Sequence, residues 1–133
     1  MLALTLPYPP SVNDYYGRTG HHVYLKPKGK AYRRAVANAL AQLDGRTFAP
    51  FQAGALAVRV ILNPPERKRG GVDPDQDNGN KALLDALTHA GVWHDDRQIR
   101  AQLNEVAESI EGGSVTLFVE KLEKTSITFT FLN

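Results

Sequence analysis

A chain of 133 residues with 42% hydrophobic residues, five Phe, five Tyr and one Trp is long enough to bury an apolar core as one domain, residues 1–133, and too apolar for wholesale disorder. The absence of Cys excludes a disulfide framework and a thiolate metal site, and no apolar run approaches the ~20 residues that span a bilayer, so a soluble, unexported protein with no membrane partner is expected. The net charge of +2 hides an asymmetry: residues 73–96 hold six Asp and one Lys and carry −5, the rest carries +7, and eleven Lys or Arg lie between Arg18 and Arg69. That basic stretch can neutralise phosphates if folding gathers it on one face, and its plainer reading is solvated surface charge.

In chain order, Leu2, Leu4 and Leu6 alternate with Ala and Thr, which predicts a first strand that Pro7 stops. From Tyr8 to Tyr24 paired prolines and two glycines predict a loop, aromatic and partly basic. Val36, Leu40 and Leu43 at i, i+4, i+7 among alanines predict a helix over 30–43, ended by Gly45. The aliphatic run Leu56 to Leu62, closed by Pro64-Pro65, predicts a buried second strand. After an irregular stretch with Gly70, Gly71 and Pro74, a second helix is expected from Asp77 or Asn78 to Gly91, with Leu83, Leu84, Leu87 and Ala90 as its apolar stripe and Lys81, Asp85 and Thr88 on the other side. Residues 99–108 and 114–122 predict two strands joined as a hairpin across Glu111-Gly112-Gly113, and 125–132 alternates as a further edge strand or oligomer contact. The order β-α-β-α-β-β gives an α/β or α+β fold, a small mixed sheet packed with two main helices and a possible extra C-terminal strand. Neither GxGxxG nor GxxxxGK[ST] occurs, so no nucleotide cofactor is expected.

The stretch Asp73-Pro-Asp75-Gln-Asp77-Asn-Gly-Asn-Lys81 carries the most chemistry. Acidic side chains two apart in extended chain point to one side, so Asp75 and Asp77 can converge, and Asp95-Asp96 after the second helix supplies further carboxylates if the sheet returns that loop. Such a set repels itself unless a hard cation neutralises it, which suits Mg²⁺ or Mn²⁺ and their retained waters as nucleophile. Asp73, Asp75 and Asp77 also occupy positions one, three and five of a calcium loop, but Asn78 stands where Gly is needed and Leu84 where a bidentate Glu is needed. Capping of the second helix by Asp75 or Asp77 is the other reading, and it needs only one Asp. Lys81 stands four residues from both Asp77 and Asp85, so it either makes i,i+4 pairs contributing ~0.3–0.5 kcal/mol or stabilises charge on a phosphate.

The pattern Pro9-Pro10-Ser11-Val12-Asn13 with Tyr15-Tyr16, then Asp75-x-Asp77-Asn78-x-x-Lys81, Asp85-Ala86-Leu87, Gly91-Val92-Trp93 and Asp95-Asp96-x-Gln98 resembles the RusA family of Holliday junction resolvases, from Leu4 to about Leu122. The resemblance implies a homodimeric, Mg²⁺-dependent endonuclease, with Mn²⁺ substituting, that acts on four-way branched DNA in recombination and repair, in the cytoplasm of a bacterium or a phage-infected cell. It implies metal-binding catalytic roles for Asp75, Asp77 and Asp96, a catalytic Lys81, and Asp95 as a nearby metal candidate. Hydrolysis by an in-line water would leave a 5′ phosphate and a 3′ hydroxyl. Arg67, Lys68, Arg69, Lys28, Lys30, Arg33 and Arg34 are candidate phosphate contacts, with Asn13 beside them. Tyr15 and Tyr16 either stack on unpaired bases or pack beneath their loop. In the family a basic run commonly leads directly into the first catalytic Asp; here residues 70–74 separate Arg69 from Asp75, so Asp73 takes no role from the resemblance, and neither does the tail 125–133. The alternatives are a nuclease preferring flaps or forks and a non-catalytic DNA-binding protein with a structural metal.

Overall fold

The structure is a computed structural model that describes residues 1–66 and 79–122. Its elements are β1 (Leu2–Leu6), α1 (Val12–Tyr15), β2 (Tyr16–Thr19), β3 (His22–Leu25), α2 (Pro27–Leu40), β4 (Leu56–Asn63), α3 (Asn80–His89), β5 (Ile99–Val106) and β6 (Ser114–Lys121), with 3-10 segments at Gly45–Phe51 and Asp96–Gln98. Four strands form a mixed sheet in the order β1-β6-β4-β5, and β2 pairs with β3 in a separate two-stranded ribbon. The fold is therefore α+β with the main elements in the expected order.

The alternation read from the sequence becomes the core. Leu4 and Leu6 of β1, Val115, Leu117 and Val119 of β6, and Leu56, Val58, Val60 and Leu62 of β4 are all buried. Tyr32, Val36 and Leu40 of α2 and Ala82, Leu83, Ala86 and Leu87 of α3 join them in one cluster. Both helices thus bury one apolar stripe, the source of most helix stability in a protein.

Three expectations are corrected. Strands β5 and β6 do not form a hairpin: β5 runs parallel to β4 on one side, and β6 runs antiparallel to β4 on the other. The apolar β4 takes the central place and forces the connection 107–113 to cross from one side to the other; Gly112 and Gly113, at φ of 76° and 69°, turn the crossing rather than closing a hairpin. The region read as a loop from Tyr8 to Tyr24 holds α1 and the β2–β3 ribbon, whose short strands are exposed and carry little apolar alternation. The first helix spans Pro27–Leu40, with Pro27 in its first turn, and leaves Leu43 outside and 40% exposed. The second main helix begins at Asn80 with Gly79 as its N-cap, later than the start expected at Asp77 or Asn78; those two residues themselves, and the strand expected at 125–132, lie outside the described residues.

Candidate active site

The start of α3 packs against the proline segment. Gly79 sits so close to Pro9 that a Cβ on it would come within 2.7 Å of the proline ring. That close approach joins two motifs seventy residues apart in the chain. Ser11 caps α1 by accepting from the Asp14 amide at 3.2 Å, and the short helix drives Tyr15 inward.

Tyr15 is fully buried and takes the packing alternative; its ring is not available to DNA. Its hydroxyl donates to Asp85 Oδ2 of α3. Arg33 of α2 donates to the same oxygen from Nε at 3.0 Å and Nη2 at 2.8 Å, and to the Tyr15 hydroxyl at 3.1 Å. One carboxylate thereby ties three helices together. Burial, then the bond to Asp85, push the Tyr15 hydroxyl well above its ordinary range. Arg33 is held internally by this network, and Asp85 pairs with Arg33 where the sequence spacing had offered Lys81.

Lys81, one turn before Asp85, lies with its ammonium 5.2 Å above the centre of the Tyr16 ring, a cation–π arrangement. Tyr16 is half-buried and edge-on to Tyr15 at 4.6 Å. Its hydroxyl is pushed up to about 12, first by burial, then by the charge of Asp85 and hydrogen bonding to it, with Asp96 adding to the push. Tyr16 thus senses both Lys81 and Asp85 of α3.

Asp96 is delivered by a braced turn. Gly91, at φ 86°, ends α3 past its last turn. Trp93 then buries and donates from Nε1 to Thr88 Oγ1 at 2.6 Å. Asp95 and Gln98 form a capping box around the 3-10 turn that begins at Asp96. The Gln98 carbonyl accepts from the amides of His94 and Asp95, both at 2.9 Å, while its amide donates to the carbonyls of Phe51 and Gly54. Asp95 accepts from the Arg97 guanidinium at 2.8 and 3.1 Å, and that contact, with the Arg97 amide, holds its carboxyl down at about 2. Asp96 itself is exposed.

Of the candidate residues, Lys81 lies over the Tyr16 ring, Asp96 stands exposed at the start of the braced turn, and Asp95 is engaged by Arg97. Asp75, Asp77, Arg67, Lys68 and Arg69 lie outside the described residues. Among the described residues no three acidic or His side chains group as a metal set. Lys28, Lys30 and Arg34 are exposed along α2, with Lys28 3.8 Å from Asp14; Asn13 is exposed on α1, and its carbonyl accepts from Lys26 at 2.6 Å. The bracing role of Gln98 was not read from the sequence, although Asp95-x-x-Gln98 has the spacing of a capping box. The Arg33–Asp85–Tyr15 network joins residues far apart in the chain and had no local signal.

The family model described as "Endodeoxyribonuclease RusA" matches residues 7–120. The chain belongs to the RusA family. Among RusA relatives, the crossover junction endodeoxyribonuclease of Enterobacteria phage HK97 is 36% identical over 118 residues, 89% of this chain and 92% of the relative. That of Escherichia coli K12 is 38% identical over 99 residues, 73% of this chain and 75% of the relative. That of Enterobacteria phage 82 is 38% identical over 96 residues, 72% and 74% of the two chains. These RusA relatives come from phages and bacteria, and among the described residues no helix is long and apolar enough to cross a membrane.

Proposed function

We propose that this RusA-family chain is a divalent-metal-dependent, structure-specific endodeoxyribonuclease that resolves four-way junctions by paired nicks, as a homodimer, in recombination and repair. The observation that carries the reading is the match to crossover junction endodeoxyribonucleases over nearly the whole of the HK97 relative. The placing of Lys81 over the Tyr16 ring, beside an open cationic cleft, supports it.

Asp75, Asp77 and Asp96, with Asp95 adjacent, are the residues to hold the metal; they offer carboxylate oxygens, the donors that Mg²⁺ or Mn²⁺ takes. The bound ion supplies charge neutralisation and a polarised water. Lys81 donates to a non-bridging phosphate oxygen as negative charge grows there, and the Tyr16 ring beneath it restricts where the ammonium sits. The water oxygen forms its bond to phosphorus, the bond to the 3′ oxygen breaks, and that oxygen leaves with a proton, giving a 5′ phosphate and a 3′ hydroxyl. Two copies related by a two-fold axis would present identical sites to the opposed strands of a junction. Arg67, Lys68, Arg69, Lys28, Lys30 and Arg34 are the phosphate contacts of this reading.

Synthetic four-way, fork, flap and linear DNA, incubated with and without Mg²⁺, test it. Asp75→Asn and Asp96→Asn should each abolish Mg²⁺-dependent nicking of the four-way substrate while junction binding persists. Undiminished nicking by either variant rejects its metal role, and equal cutting of forks or flaps rejects junction selectivity.

A further inference from the structure

Beside Lys81 an open cleft of about 620 Å³ lies between α1 and the β2–β3 ribbon. Its described lining residues include three cations, Arg18, Lys26 and Lys81, and no carboxylate. Lys26 is anchored at the rim by its bond to the Asn13 carbonyl. Strand β3 lends the lining Val23 and Tyr24, successive residues on opposite faces of the ribbon, which are 49% and 42% exposed. Among the described residues the two strands pair only with each other, which leaves the Tyr24 ring open to a ligand. The Tyr24 ring is also fixed in place. It lies across Gly17 of the facing strand, where a Cβ would come within 2.3 Å of it, and it stacks with His22 at an interplanar angle of 15°.

Three cations among the described lining residues call for an anion, and the fixed flat ring of Tyr24 calls for a planar apolar group. One nucleotide supplies both. We propose that the cleft takes a single unstacked nucleotide of the DNA substrate, its base against Tyr24 and its phosphate among Arg18, Lys26 and Lys81. The inference rests on the endonuclease reading and deepens it, because a base captured beside Lys81 sets which phosphate reaches the site and gives the ribbon a part in choosing where the strand is cut.

The test measures affinity for a four-way junction without divalent ion, for wild type, Tyr24→Ala and Tyr24→Phe, on intact DNA and on junctions with one abasic site moved across the crossover. Tyr24→Ala should weaken binding to the intact junction about five- to hundredfold, with Tyr24→Phe close to wild type. At one abasic position wild type should fall to the level of Tyr24→Ala, and the variant should lose nothing more. Unchanged binding by Tyr24→Ala, or the same loss at every abasic position, overturns the proposal. Wild type that nicks four-way DNA while Tyr24→Ala binds as tightly overturns the cleft alone; wild type that neither binds nor nicks branched DNA overturns the endonuclease reading as well.

Discussion

Tyr16 joins the parts of the site at the scale of single residues. Its ring lies under the Lys81 ammonium and its hydroxyl feels Asp85, so one side chain meets both charges of α3. A cation–π contact contributes ~0.5–2 kcal/mol according to how far it is desolvated. If that contact orients Lys81 for the transition state, Tyr16→Leu should lower kcat for junction nicking about two- to thirtyfold with KM little changed, and Tyr16→Phe, which keeps the ring, should restore most of it. Single-turnover kinetics on a four-way substrate decide this. A loss confined to KM would make Tyr16 a DNA contact instead. Lys81 was legible in the sequence through its spacing from Asp77, but the ring beneath it was not, because Tyr16 lies on a separate element and local periodicity carries no information about that meeting.

Among the elements, the turn after α3 shows how a motif can be scaffold and site together. Gln98 bonds two amides of its own turn and two carbonyls from the Phe51 to Gly54 segment, and so clamps Asp96 to the remainder of the fold. At ~0.5–1.5 kcal/mol net for each hydrogen bond, partly recovered by water at the exposed ones, Gln98→Ala should cost about 2–3 kcal/mol. Urea unfolding measures that loss. The same variant should also nick more slowly than a control of equal stability loss, such as Val36→Ala in the core of α2, since Gln98, unlike Val36, bonds directly within the Asp96 turn. Equal activity of the two variants would leave Gln98 a purely structural residue. The helices and β4 were legible because each buries one periodic face, whereas α1 and the β2–β3 ribbon are too short and too exposed to show a period.

For the whole molecule, three tyrosines connect the core to pH. Burial raises the hydroxyls of Tyr15, Tyr16 and Tyr32, with Tyr16 reaching about 12. A pKa raised in the folded state means that the native protein holds protons the unfolded chain has released, so this contribution is fully present below the ordinary tyrosine value of ~10 and is lost as pH rises through the folded value. Stability should therefore fall steadily from about pH 10 upward. Tyrosinate absorbance should rise together with loss of near-ultraviolet circular dichroism. Ionisation of all five tyrosines near the ordinary value, with the fold intact, would contradict the buried assignment.

The sequence by itself determined a mixed class, α/β or α+β, the order of the main strands and helices, the acidic cluster with Lys81, and the family resemblance, because each is written in local periodicity or fixed spacing. Only the tertiary structure decided that β4 lies between β5 and β6, since an apolar strand can pair on either side and nothing local chooses its neighbour. It likewise decided that Asp85 binds Arg33 and Tyr15 in preference to Lys81, because a partly buried carboxylate takes the donors that three packed helices bring to it. The cleft beside Lys81 belongs to the same class: its cations and its aromatic rings come from the ribbon, the residue that caps α2, and α3, and only packing makes them neighbours.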